Sequence, residues 1–236
     1  MENVNCWLEK FKECSYSNKL LTKLLLLNKT ISNKIDITEV KKAIYYARKY
    51  HGEQKRQSGE PYYSHPIEVA FMVSDYLLRT DILVTSILHD VLEDTKMTFE
   101  MIKAIFGERV ANQVMDLTRI KGDGNKISSE AMVNSLWLQK KYDLLFIKEM
   151  DRLHNMRTIG FKSSEKAGKI SRETLGAFLV LAAYLGLNNV EEELRQLCAH
   201  LLAPNKTHLQ KKRTFNENDH LPSLAFQNGL DHKKNL

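Results

Sequence analysis

Apolar residues recur at spacings of three and four along most of the chain, while alternating runs rich in Val, Thr and aromatics are scarce. A repeat of about 3.6 residues lets a helix bury one stripe, whereas a half-buried strand alternates at every residue. Four prolines and ten glycines in 236 residues force few helices to stop. The expected fold class is therefore all-α, a helical bundle, and 43% hydrophobic residues suffice for one main core. That core is expected over residues 35–203, with an N-terminal helical extension over 1–34 and a basic, largely unstructured tail over 204–236.

One stretch interrupts this pattern with chemistry: Ile87-Leu88-His89-Asp90-Val91-Leu92-Glu93-Asp94. Four ionisable side chains sit there among apolar neighbours, and packing gives no reason for them. On a helix, the spacing of four places His89 above Glu93 and Asp90 above Asp94. Carboxylates crowded in this way repel one another and lose hydration, unless a divalent cation neutralises them or they share protons. A metal is the more economical reading; a solvated helix end is the alternative.

Other segments supply partners. Short amphipathic helices are expected over Trp7–Cys14 and Leu20–Leu27. Thr38 can cap a helix over Glu39–His51, whose apolar side is Val40, Ala43, Ile44 and Ala47. The loop Gln54–Tyr63 concentrates Lys55, Arg56, Gln57, Ser58 and Tyr62, a mixture able to grip a nucleotide through stacking and phosphate pairing. His65 precedes Pro66, which suits a first helical position, so His65 is expected at an N-cap facing inward with Val69, Met72 and Tyr76. A lone inward histidine is usually a core residue, but here a second His with an adjacent Asp follows in the next helix. Thr80 is expected to cap that helix, which carries the ionisable stretch and ends near Thr95.

Thr98 starts a further helix and Gly107 breaks it; Val110–Ile120 follows, then a loop over Lys121–Asn125 and a helix from Ser128 or Ser129. Along Leu144–Thr158 the apolar stripe of Leu144 and Ile147 turns polar at Asp151, Asn155 and Thr158, as in a helix that leaves a core to line a pocket. A surface ion pair of Asp151 with Arg152 or Arg157 is the competing account. Ser171 is expected to begin a long helix ended by Gly186, and Val190–Leu202 to form the last.

The net charge of +6 suits an anionic ligand, but much of the excess lies near the termini and no Arg-rich stripe with interleaved aromatics stands out. A small phosphate-bearing substrate is the expected partner, with neither nucleic acid nor membrane, and the oligomeric state stays open. Three cysteines, Cys6, Cys14 and Cys198, show no metal-ligand spacing and favour a reducing compartment. There is no signal region, and Lys23 breaks the short apolar run Leu20–Leu27, so a cytoplasmic location is expected.

Taken together, RQSGEPYYSHP, SILHDVLEDT and MDRLHNMRT resemble the HD-type hydrolase domain of the Rel/Spo family of bacterial alarmone enzymes. The similarity runs over about residues 37–200 and includes FGERV, ISRET at Ile170–Thr174 and LGLNNVEEEL. It implies an HD-domain helical bundle that removes pyrophosphate from the 3′ position of guanosine tetra- or pentaphosphate (ppGpp or pppGpp), using Mn2+. It further implies His65, His89, Asp90 and Asp151 as metal ligands and Glu93 and Asp94 as the catalytic acidic pair. Arg56, Ser58, Asn155 and Thr158 match its nucleotide pocket, with Tyr62 as a wall. In the implied mechanism a cation activates water, which Glu93 and Asp94 orient and deprotonate for attack on the 3′ phosphorus. Zinc, iron or magnesium would also suit a mixed nitrogen and oxygen set.

Three positions depart from the family pattern: Gln57 for a usual Lys, Glu149-Met150 for Leu-Ala, and Ala183-Tyr184 for a late His and Arg. The expectation is a stand-alone hydrolase without alarmone synthesis. The alternatives are an HD phosphohydrolase acting on another nucleotide, and a catalytically impaired remnant that binds nucleotide or partner proteins.

Overall fold

The computed structural model describes residues 6–120 and 124–202. All regular elements among these residues are helical, and their β-type pairings are isolated bridges at Lys55–Pro61 and Ile120–Lys126. The expected all-α class is borne out. No helix among the described residues is long and apolar enough to cross a membrane. The expected tail over 204–236 and most of the loop at 121–123 lie outside the described residues.

The chain opens with α1 (Cys6–Lys10), α2 (Ser15–Thr30) and α3 (Ile37–His51). Leu20, Leu21 and Leu24 of α2 join the same apolar cluster as Val40, Ala43, Ile44 and Ala47 of α3. Asp36, not Thr38, caps α3: its carboxylate accepts from the N–H groups of Thr38 and Glu39 at 2.8 and 3.1 Å. A carboxylate two residues earlier reaches those orphan donors better than the Thr38 hydroxyl, which already lies inside the helix.

Next come α4 (Ser64–Val73), α5 (Thr80–Leu88) and α6 (Val91–Asp94). Helix α5 is the centre of the bundle, with Ile82, Leu83, Ile87 and Leu88 fully buried between α3, α4 and the later helices. Thr80 is its first residue rather than its cap, because its hydroxyl is engaged by the Asp36 N–H at 2.9 Å. His65 is the second residue of α4, and α4 ends before Tyr76.

Helices α7 (Phe99–Phe106) and α8 (Glu108–Leu117) are separated by Gly107, whose φ of +87° is open to glycine at little cost. Thr98 caps α7 and Ser128 caps α9 (Ser129–Leu138), so both helices start where the sequence placed them to within a residue. The long helix α10 (Tyr142–Arg157) packs across α4 and carries eleven buried residues, which makes it a second central strut.

Helix α11 (Ser164–Glu173) begins a turn and more before the expected start at Ser171. Ser163 is the cap, and Ser171 is fully buried with its hydroxyl on the Ala167 carbonyl at 2.9 Å. A mid-helix serine that bonds back to the preceding turn mimics a cap in sequence. A π-helical turn over Thr174–Phe178 then leads into α12 (Leu179–Tyr184), and α13 (Asn188–Leu202) closes the bundle against α10, α11 and α12.

Candidate metal and nucleotide site

The ionisable stretch does not lie on one continuous helix. The hydrogen-bond ladder is interrupted at His89 and Asp90, between α5 and α6. His89 Nδ1 lies 2.7 Å from the Ser86 carbonyl and competes for the acceptor that an unbroken helix offers to the Asp90 N–H. The backbone stays right-handed through the joint, and the Asp94 N–H still reaches the Asp90 carbonyl at 2.9 Å.

This joint brings His89 and Asp90 to His65 from α4 and Asp151 from α10. His65 Nε2 lies 3.2 Å from Asp151 Oδ1 and 3.6 Å from Asp90 Oδ2. His89 Nε2 lies 3.3 Å from Asp90 Oδ1 and 3.8 Å from Asp151 Oδ1. One ligand atom each from His65, His89 and Asp151 falls within a mutual 4.8 Å. Buried His89 Nε2 has no hydrogen-bond partner of good geometry, while Nδ1 lies on the Ser86 carbonyl. A buried imidazole nitrogen aimed at two carboxylates without a proton bridge is what a divalent cation needs, and the set fits one.

Electrostatics agree with this reading. Burial disfavours protonation of His89, but Asp90 and Asp151 outweigh it and push its pKa up to about 9. Burial dominates at His65 and lowers it. Burial would raise Asp151, yet the Lys148 ammonium and the two imidazoles hold it well below the usual carboxylate range. Proton affinity of this size at His89 marks a site of concentrated negative charge, which a cation can occupy instead.

The two residues of the acidic pair have different partners. Asp94 receives the Tyr62 hydroxyl at 2.7 Å, and the same hydroxyl lies 3.0 Å from Asp90 Oδ2. Burial, then the Asp90 and Glu93 charges, raise the Asp94 carboxyl. Glu93 instead pairs with Arg119 at 3.0 Å and with Lys126, and it accepts the Arg119 N–H at 3.1 Å. Burial works against its charge, but these cations lower its pKa.

On the side of the loop at 54–63, Arg56 donates to Asn155 Oδ1 and Thr158 Oγ1, each at 3.0 Å. Asn155 Nδ2 in turn donates to Asp151 Oδ1 at 2.6 Å, so the loop cation is linked to the His–Asp cluster through α10. Ser58 Oγ is buried without a partner, whereas Gln57 is exposed. Asp151 pairs with neither Arg152 nor Arg157; those bind Glu173 and Glu193. Met150 is buried in the core cluster and leaves Asp151 at the site.

Two residues at the site were missed in the sequence. Lys148 is buried and donates to Asp151 Oδ2 at 2.6 Å. His154 Nδ1 lies 2.9 Å from His65 Nδ1, and burial with neighbouring His65 and Arg56 pushes its pKa down to about 2. Both stand three residues from Asp151, on the same helix face, which is the spacing that could have revealed them.

The HD-domain family profile matches residues 43–188, more than half of the chain, and the chain belongs to that family. Among characterised relatives, it is 36% identical over 179 residues to the Aquifex aeolicus guanosine-3′,5′-bis(diphosphate) 3′-pyrophosphohydrolase, covering 75% of this chain and 25% of that protein. It is 33% identical over 181 residues to the bifunctional (p)ppGpp synthase/hydrolase SpoT of Escherichia coli K12, covering 75% and 26%. The GTP pyrophosphokinase rsh of Brucella ovis is 37% identical over 180 residues, covering 73% and 24%. The chain thus spans about a quarter of the length of these relatives. A solved metazoan ortholog of SpoT shares the fold, with a TM-score of 0.55 at 22% identity over 71% of this chain and 98% of that one.

Proposed function

We propose that this chain is a metal-dependent hydrolase that converts ppGpp or pppGpp to GDP or GTP and pyrophosphate, acting in the cytoplasm with Mn2+. The observation that carries the proposal is the convergence of His65, His89, Asp90 and Asp151 around an unpartnered His89 Nε2, with Arg56 anchored beside it. The names of the relatives in Aquifex aeolicus and Escherichia coli support the choice of substrate.

His65, His89, Asp90 and Asp151 would hold the cation. When bound, it supplies Lewis acidity toward a phosphoryl oxygen and lowers the pKa of a water. Asp94 takes the proton of the attacking water, and its raised pKa brings it nearer to that task at neutral pH. Tyr62 orients Asp94 through its hydroxyl. Arg56, anchored through one guanidinium nitrogen by Asn155 and Thr158, presents its remaining donors to the phosphate chain, and Ser58 lies two residues on in the same loop. Glu93 ties α6 to Arg119 and Lys126, a positioning task rather than proton transfer.

The test is chromatography of products from guanosine tetraphosphate, with Mn2+ and with excess chelator. GDP and pyrophosphate in equal amounts, released only with the metal, are expected. Binding without turnover would favour the remnant reading, and faster release from a different nucleotide would favour the broader phosphohydrolase.

A further inference from the structure

A cavity lies apart from the His–Asp cluster, between the segment after α1, the C-terminal end of α3 and the hairpin at 54–63, with a volume of about 410 Å³. That is within the range of about 300–1,000 Å³ typical of small-molecule pockets. Its wall carries Lys10, Lys12, Arg48, Lys49 and Lys55, against Glu53 as the one lining carboxylate. Phe11, Tyr45 and Tyr63 provide ring surface in the same wall. Arg48 is fixed in place: its guanidinium lies 5.0 Å from the centre of the Tyr63 ring and donates to the Lys12 carbonyl. Clustered cations select a multiply charged anion, and aromatic rings beside them select one that carries a planar group.

The hairpin that walls this cavity also walls the catalytic site. It is closed by the Lys55–Pro61 bridge and by the Tyr62 N–H on the Gln54 carbonyl at 2.8 Å. Gln54, Lys55, Pro61 and Tyr63 line the cavity, while Arg56 and Tyr62 reach the metal cluster and α10. Gln54 spans both: its amide donates to the Asp94 carbonyl at 2.8 Å, and its Oε1 lies 2.8 Å from His51 Nδ1. The His51 ring stacks on Tyr62 at 4.7 Å.

We propose that this cavity is a nucleotide site separate from the catalytic one, with the phosphate chain on its lysines and the base against its aromatic rings. A ligand there contacts Gln54 and the hairpin that sets Arg56 and Tyr62, so occupancy changes turnover. Binding stands independently of the hydrolase reading; the change in turnover rests on it.

The experiment is calorimetric titration of GTP, ATP and inorganic tripolyphosphate into the full chain in the presence of chelator. Three proteins are compared: wild type, the double variant Lys12→Glu/Lys55→Glu, and Arg56→Ala. Expected is nucleotide binding that Arg56→Ala retains, that the double variant weakens by roughly tenfold or more, and that exceeds tripolyphosphate binding. Lys12→Gln/Lys55→Gln, a gentler change, should fall between wild type and the double reversal. No nucleotide binding to wild type, equal affinity in the double variant, or loss in Arg56→Ala alone would overturn the site. Tripolyphosphate binding as tight as GTP would overturn the assignment to a nucleotide. Guanosine tetraphosphate hydrolysis is then followed with and without GTP, and a rate change present in wild type but absent in the double variant is expected. An unchanged wild-type rate would overturn the coupling, whereas a chain with no hydrolysis at all would count against the proposed activity and leave the binding result standing.

Discussion

The Nδ1 atoms of His65 and His154 lie 2.9 Å apart, and one proton must bridge them. For His65 Nε2 to offer a lone pair to a cation, that proton must sit on His65 Nδ1, and His154, held neutral by burial, must accept it. His154→Ala should therefore weaken Mn2+ binding about 10- to 100-fold, as measured by titration, while His154→Asn, which keeps an acceptor near Nδ1, restores most of it. Nitrogen-15 imidazole spectra should show His65 losing its single tautomer in the Ala variant. Unchanged affinity in His154→Ala would remove this positioning role.

Asp151 has two tasks that substitutions can separate. It accepts from the buried Lys148 ammonium as well as facing the imidazoles. Asp151→Asn should lose metal while keeping most stability. Asp151→Ala strands the ammonium and should cost about 3–5 kcal/mol more. Adding Lys148→Met should recover stability in the Ala background without recovering metal, as read by denaturation and metal content. Full metal occupancy in Asp151→Asn would take Asp151 out of the ligand set.

Asp94 and Glu93 should respond unequally. Asp94→Asn removes the proton acceptor next to Tyr62 and is expected to lower turnover by about 10²–10⁴ with bound metal retained. Glu93→Gln, which weakens the ties to Arg119 and Lys126, should reduce turnover less. Equal losses, measured at saturating substrate, would mean that both share the proton chemistry.

Glu149 is fully buried, and neither carboxyl oxygen has a hydrogen-bond partner. Burial, only partly offset by Arg152, raises its pKa well above the ordinary 4.5. The folded state therefore binds this proton more tightly than the unfolded chain does. Its contribution is fully present below pH 4.5 and falls as pH rises toward the raised folded value. Glu149→Leu should stabilise the protein by about 1–3 kcal/mol at neutral pH and flatten that part of the pH profile. A stability gain no larger at pH 7 than at pH 4 would contradict a buried neutral carboxyl.

Helix identity and the inward-facing histidines and aspartates were legible because both depend on local spacing: His65, His89, Asp90 and Asp151 each interrupt an apolar stripe. Caps were harder to place. Asp36 and Thr38 are both good cap residues two positions apart, and what separates them is a distant contact, the Asp36 N–H on Thr80. The joint at His89 left no trace in the pattern, since the residues around it keep helical spacing while the side chain of His89 takes the Ser86 carbonyl. The partners of Glu93 are 26 and 33 positions away, beyond any periodicity.

Tyr62 has one hydroxyl proton and two carboxylate neighbours, Asp90 at 3.0 Å and Asp94 at 2.7 Å. It can donate to only one of them at a time, and the shorter distance favours Asp94. Whenever charge at Asp90 changes, the hydroxyl can turn toward the needier acceptor. The hydrogen bonding of Asp94 is thus tied to the charge on Asp90 through rotation about a single C–O bond.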